Sequence, residues 1–308
     1  MRHFLIDTDT ASDDAVALLM ALREPSIKIE AITVVAGNCP LKTAVRNALI
    51  SVEKANTYFP PVYVGALKPL IRELHSCVNV HGEDGMGDIN LTAPTRQAET
   101  EHAVDKIIQY AEKFKGELEV ITIGPLTNLA IALAREPRLT QWIKHLFIMG
   151  SEGLGPGNIT PAAEFNFWVD AEAAHLVVKS EVPKTIIGWD VCMDEAFLSP
   201  DDIRKLEISS ELGKFAVQCN KTVIEFTKSL GREGISFPDP TAIAAAIYPE
   251  MIVTQQDYYG VVDYKSELGY GQFIVDQFGT TGKATNHTLV TKIDAGMFKI
   301  KLINLLSD

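Results

Sequence analysis

From its first residues the chain alternates short apolar runs with stretches of helical periodicity. Phe4-Leu5-Ile6 reads as a buried strand, and Asp13 to Arg23 as a helix with Ala15, Val16, Leu18, Leu19 and Leu22 on one broad face. Ile27 to Val35 is a second strand, Leu41 to Ala55 a second helix and Pro61 to Val64 a third strand. The theme continues with a helix over Glu101 to Phe114, a strand over Leu118 to Ile123, a helix over Thr127 to Arg135 and a strand over His145 to Met149. Ala171 to Lys179 then leads as a helix into a strand at Lys184 to Ile187. Such β-then-α order predicts an α/β fold: an open, largely parallel sheet flanked by helices on both faces. No fixed-period repeat, linker or low-complexity segment interrupts it, so one domain spanning 1–308 is expected. Between Asp201 and Ser236 two helices are expected to form a cap over the site.

Composition removes several function classes. The formal charge is −12 and no basic run or basic helix occurs, which leaves a polyanion such as DNA or RNA without a footprint. A small neutral substrate or a cation fits better. No apolar stretch reaches membrane-spanning length, and Arg2-His3 followed by only Phe4-Leu5-Ile6 is too short for an export signal. Cys39, Cys77, Cys192 and Cys219 form no C-x-x-C pair, so a thiolate zinc site is unsupported and a reduced cytoplasmic protein is expected.

The chemistry concentrates after the first strand. FLIDTDTASDDAVALL places Asp7, Asp9, Asp13 and Asp14 within eight positions, the first pair leaving the strand and the second pair in the first turn of the next helix. In open α/β sheets that crevice is where ligands bind. Asp13 and Asp14 taken alone could simply favour the helix N-terminus, whose dipole welcomes negative charge. The whole group is harder to explain that way, because like charges repel in a low-dielectric crevice and no Lys or Arg lies between Arg2 and Arg23. A divalent cation resolves the conflict, and oxygen-only ligands select calcium, magnesium or manganese over zinc.

Two families place aspartates here. Haloacid dehalogenase-like phosphatases carry D-x-D-x-[TV]; Asp7 and Asp9 fit, but Ala11 occupies the last position. Inosine-uridine-preferring nucleoside hydrolases carry D-x-D-x-x-x-D-D, matched by Asp7, Asp9, Asp13 and Asp14. The second resemblance extends along the chain: TVVAGN ending at Asn38, HGEDGMGD from His81, IGPLTNLA from Ile123, GNITPAAEFNFWVDAEAA from Gly157, FPDPTAIA around Asp239, and GQFIVD. The chain is therefore identified as resembling that family over nearly its whole length.

The resemblance implies the nucleoside hydrolase fold, with a Rossmann-like core and the active site at the strand C-termini. It implies hydrolysis of the N-glycosidic bond of a ribonucleoside to base and ribose, through a calcium-bound water activated by Asp9 as general base. By the same resemblance Asp9, Asp14, Asp239 and the Ile123 carbonyl ligate Ca²⁺. Asp13, Asn38, Asn158, Glu164 and Asn166 grip the ribose, with Asp7 in support. From FPDPTAIA alone Asp239 reads better as a helix N-cap; the family match reverses that preference. Glu164 and Asn166, two apart, would point to the same side of an extended segment. The family also implies a homodimer or homotetramer.

One departure stands out. Many members carry His immediately before the D-P aspartate, where it can protonate a departing purine; here that residue is Pro238. His81 is then the only histidine in a matched motif, and is the expected contact or proton donor to the base. Two other readings stay open, a magnesium-dependent dehalogenase-like phosphatase and a non-catalytic nucleoside-binding protein. GTTGKAT near Gly279 is no P-loop, because Gln277 and Ala284 occupy two of its required positions.

Overall fold

The computed structural model of the chain describes residues 1–307. Its strands are β1 (Arg2–Thr8), β2 (Ile27–Val34), β3 (Val62–Val64), β4 (Glu99–His102), β5 (Leu118–Thr122), β6 (Ile143–Met149), β7 (Lys184–Ile187), β8 (Ile252–Val262), β9 (Phe273–Asp276) and β10 (His287–Ile293). Its helices are α1 (Ser12–Arg23), α2 (Leu41–Ala55), α3 (Val78–His81), α4 (Ala103–Lys113), α5 (Thr127–Arg135), α6 (Leu139–Trp142), α7 (Phe165–Val169), α8 (Ala171–Lys179), α9 (Pro200–Glu207), α10 (Glu211–Gln218), α11 (Lys221–Ser229), α12 (Pro238–Ile247) and α13 (Ala295–Leu306).

Among the described residues the strands form one ten-stranded sheet in the order β4-β3-β2-β1-β5-β6-β7-β10-β8-β9. Every pairing from β4 to β10 is parallel, and β8 runs antiparallel to both β10 and β9. The chain winds outward from β1 through β2 and β3 to β4, then crosses back to place β5 on the other side of β1. The gap between the C-terminal ends of β1 and β5 is thus the topological switch point, where a crevice must open. The open, largely parallel architecture expected from the β/α alternation is what forms.

The central strands are buried on both faces, which is why they read as nearly continuous apolar runs. Residues of α1, α2, α10, α12 and α13 cover one face around Phe4, Ile6 and Ile32. Residues of α4, α5 and α8 cover the other around Leu5, Val120 and Leu146. Helix α1 is buried along nearly its whole length, packed between α2, α12 and α13. The first turn of α1, with its aspartates, is therefore held rigidly beside the crevice.

Three local expectations are corrected. Glu99–His102 is an exposed edge strand, so α4 begins at Ala103, and the His102 ring accepts a hydrogen bond from the Val104 N–H at 3.2 Å. The polar sequence ETEH gives no apolar alternation by which a strand could be read. The segment from 200 to 229 holds three helices rather than two, because Ser199 and Ser210 each cap a new helix and Asn220 separates the last two. Of these, α9 and α10 pack on α13 and only α11 lies against α3. Finally, Glu164-Phe165-Asn166 is not extended: Glu164 is the N-cap of α7.

Candidate active site

Each acidic side chain reaches the crevice by its own route. Asp7 is the penultimate residue of β1, and its Oδ1 accepts hydrogen bonds from Thr33 Oγ1 at 2.5 Å and Asn128 Nδ2 at 2.9 Å. Asp9 lies just past the strand end, between two glycines. A Cβ at Gly37 would stand 2.1 Å from its Oδ2, and one at Gly124 would stand 2.7 Å from its Oδ1. Both neighbours must be glycine for the carboxylate to fit. The Asn38 backbone N–H donates to Asp9 Oδ2 at 2.5 Å. In α1, Asp14 accepts from the Ala11 N–H and from Thr8 Oγ1, at 2.9 and 2.6 Å. The helix-terminus role weighed for these aspartates is thus partly real, and it falls to Asp14 rather than Asp13.

Asp239 enters from α12, which packs against α1. It is the second residue of α12, whose N-cap is Phe237, with no side-chain capping bond. The N-cap reading of FPDPTAIA therefore fails, and the carboxylate turns into the acidic group instead. One oxygen from each of Asp13, Asp14 and Asp239 lies within 4.8 Å of the others. Asp9 stands just outside this trio, close enough that Asp14 and Asp13 both add to the rise in its own pKa.

The electrostatics are those of a site built around a positive charge that the protein does not supply. Burial, followed by repulsion from Asp14 and then Asp13, pushes Asp9 well above the usual carboxylate range. Burial and then Asp13, Asp14, Asp9 and Glu164 do the same to Asp239. Burial raises Asp13 and Asp14 to about 6, and Asp7 and Glu164 to about 7. Among the described residues, no ion pair of a Lys or Arg reaches this group. Among the described residues, Asp9 Oδ1 and Asp13 Oδ1 are buried with no hydrogen-bond partner. Unpartnered buried carboxylate oxygens are costly, and oxygen-only donors facing one another suit a hard divalent cation. The residues present fit a metal.

The remaining expected residues surround this group. The Ile123 carbonyl follows the end of β5 and accepts from Asn166 Nδ2 at 3.3 Å, so it is shared rather than free. Glu164 is anchored by backbone, its oxygens accepting from the N–H groups of Ser151, Asn166 and Phe167, which leaves Oε1 with acceptor capacity to spare. It builds the α7 turn that aims Asn166 inward, and among the described residues Asn166 Oδ1 is left buried without a partner. Asn158 Oδ1 accepts from the Phe165 N–H at 2.9 Å, tying the glycine-rich loop to the same turn. His81 ends α3, is 8% exposed, and places its Nδ1 2.7 Å from Ser12 Oγ and 4.0 Å from Asp13 Oδ1. Burial lowers its pKa to about 4.

Several contributors escaped the sequence reading. Asn128 lies inside the G-P-L-T-N turn, yet its link to Asp7 and to the Ala66 N–H depends on a contact across three strands. Ser12 and Asn220 are ordinary polar residues by sequence; the Asn220 amide donates to the Ser12 carbonyl at 3.2 Å and so pins the α10–α11 junction to the first turn of α1.

A rim of buried carboxylates at a switch point, with polar groups converging from three further segments, makes a crevice suited to a cation and a small polar ligand. The family comparison makes the class specific. The model of the inosine-uridine preferring nucleoside hydrolases matches residues 4–300, and the chain belongs to that family. It is 34% identical over 302 residues to the pyrimidine-specific ribonucleoside hydrolase RihB of Escherichia coli (strain SE11), covering 96% of this chain and 94% of that one. Among solved structures it resembles the plant nucleoside hydrolase PpNRh1, with TM-score 0.93, 27% identity and 99% of both chains covered. It also resembles a purine-preferring ribonucleoside hydrolase from Gardnerella vaginalis, with TM-score 0.91, 26% identity and 99% and 98% coverage. The protein is a ribonucleoside hydrolase. The phosphatase and binding-only readings gain no support from these comparisons. Among the described residues, no helix is long and apolar enough to cross a membrane.

Proposed function

We propose that this ribonucleoside hydrolase depends on calcium, held by the side chains of Asp9, Asp14 and Asp239 and by the Ile123 carbonyl. The observation that carries the reading is the set of buried, mutually repelling carboxylates with unpartnered oxygens and no Lys or Arg among them. When bound, the cation supplies a water of lowered pKa and an anchor for the ribose 2′- and 3′-hydroxyls.

The chain's own groups do the rest. Asp9, fixed through one oxygen by the Asn38 N–H, has its other oxygen free to take a proton from the attacking water. Asp13 accepts the 2′-hydroxyl, and Asn38, Asn158, Glu164 and Asn166 orient the ribose, with Asp7 bracing the end of β1. Charge developing on the ribose as the C1′–N bond lengthens is positive, and the surrounding carboxylates favour it. His81 meets the base from α3, over which α11 packs to limit access of bulk water. Its lowered pKa makes a hydrogen-bonding neutral imidazole the resting form.

The chain acts as one domain, 1–308, with 201–236 as its helical cap, in the cytoplasm, as a homodimer or homotetramer. Four buried free cysteines agree with a reducing compartment. Incubation with inosine, uridine and p-nitrophenyl phosphate, with calcium and after chelation, tests the reading. Ribose release that is lost on chelation and restored by calcium supports it, and ribose release unchanged by removal of all metal, or phosphate release alone, overturns it. The same panel ranks purine against pyrimidine.

A further inference from the structure

We propose that Ser12 is a positioning residue for the leaving-group step: its hydroxyl donates to His81 Nδ1 and so keeps the ring hydrogen on Nε2, the nitrogen left to meet the departing base. The inference rests on the placement of His81 at the base given above. Ser12 is fully buried and is the first residue of α1, immediately before Asp13. Its Oγ lies 2.7 Å from His81 Nδ1. Among the described residues the hydroxyl has no other hydrogen-bond partner, so its hydrogen is best satisfied on that nitrogen. Asp13 Oδ1, the other candidate acceptor for an Nδ1–H, is 4.0 Å from the ring nitrogen, beyond hydrogen-bond reach.

Ser12 is itself held from the far side. Its carbonyl accepts from Asn220 Nδ2 at 3.2 Å, and Asn220 is fully buried where α10 gives way to α11. The glycine loop after His81 closes against the same junction, since a Cβ at Gly87 would stand 2.8 Å from the carbonyl oxygens of Gln218 and Cys219. One serine therefore joins the first turn of α1, the His81 ring and the α10–α11 junction. A neutral imidazole can donate to a base nitrogen or oxygen only from the nitrogen that carries hydrogen, so the direction of the Ser12 bond decides whether His81 offers a donor or an acceptor.

The test combines nitrogen NMR of the histidine ring with kinetics on two leaving groups, in wild type, S12A, S12T and H81A. A natural nucleoside needs help to expel its base, whereas p-nitrophenyl riboside leaves as a stable phenolate. Expected is an Nε2–H tautomer for His81 in the wild type and in S12T, and a mixed or reversed tautomer in S12A. S12A should lose about 3–10-fold in kcat on inosine or uridine, the scale of one net hydrogen bond, with a smaller loss on p-nitrophenyl riboside and recovery in S12T. An Nδ1–H tautomer in the wild type, or an S12A ring spectrum and substrate ratio equal to wild type, overturns the assignment. If H81A slows both substrates equally, it is the base-contact reading of His81 that fails, while the tautomer in S12A still decides what Ser12 does.

Discussion

Stripping the metal should make the protein's stability fall as pH rises from mild acid to neutrality, and calcium should remove that fall. Asp13 and Asp14 are each moved from 3.8 to about 6, and Asp7 from 3.8 to about 7. A carboxyl whose pKa is higher folded than unfolded makes the native state bind more protons. Its contribution is fully present below about pH 4 and is lost as pH rises through 6 to 7. At about 1.4 kcal/mol per pH unit, ionising Asp13 or Asp14 in the cation-free fold costs about 3 kcal/mol, and Asp7 about 4 kcal/mol. Asp13 and Asp14 repel each other and titrate as a pair, so their two costs do not simply add. One such cost alone corresponds to roughly 5–10 °C in Tm for a large single domain. Carboxylates elsewhere move the other way, as Glu119 does beside Arg2. The readout is therefore the gap in Tm between calcium-saturated and metal-stripped protein, measured by calorimetry from pH 4 to pH 7.5. That gap should widen by several degrees towards neutrality, since ionised carboxylates are what the cation binds. A gap that is constant, or that narrows as pH rises, would refute the reasoning.

Asp9→Asn should cut kcat by at least ~10²–10⁴, the usual worth of a positioned base; metal content measured in the same sample must separate a lost base from a lost ligand, and near-native turnover with calcium retained would remove Asp9 from its role. Asp239→Asn should weaken calcium binding by more than the ~10–100-fold that an outer-shell partner costs, while raising the Tm of the metal-stripped protein at pH 7, because a carboxyl whose ionisation burial and its acidic neighbours oppose is replaced by a neutral amide; titration calorimetry and a melt check the pair. His81→Ala should slow inosine or uridine far more than p-nitrophenyl riboside, and equal losses would assign the ring a structural role.

The parallel half of the sheet was readable because strands buried on both faces leave unbroken apolar runs, and because the helices between them carry wide apolar stripes. Of the elements that escaped, β4 and β8 carry no such periodicity, whereas β10 and α13 do present buried apolar positions that went unread. Edge strand β4 is four exposed polar residues, and much of β8 is exposed where the sheet turns antiparallel. In the site, the local spacing of Asp7, Asp9, Asp13 and Asp14 was visible because those residues are neighbours in sequence. Asp239 was ambiguous because Asp before Pro satisfies the rules for a helix cap, and only its packing beside Asp13 turns it inward. Glu164 and Asn166 were placed in the right motif but on the wrong backbone: a two-residue spacing reads equally well as extended chain or as the start of a helix. The Ser12–His81 bond joins residues 69 apart in sequence, a pairing that only the tertiary fold creates.

The most direct measurement is ribose release from a ribonucleoside by metal-stripped protein, before and after adding back calcium, with bound metal quantified in each sample. The account expects no turnover from stripped protein and recovery on adding calcium in step with occupancy of one site. Full ribose release from protein shown to hold no metal would contradict it.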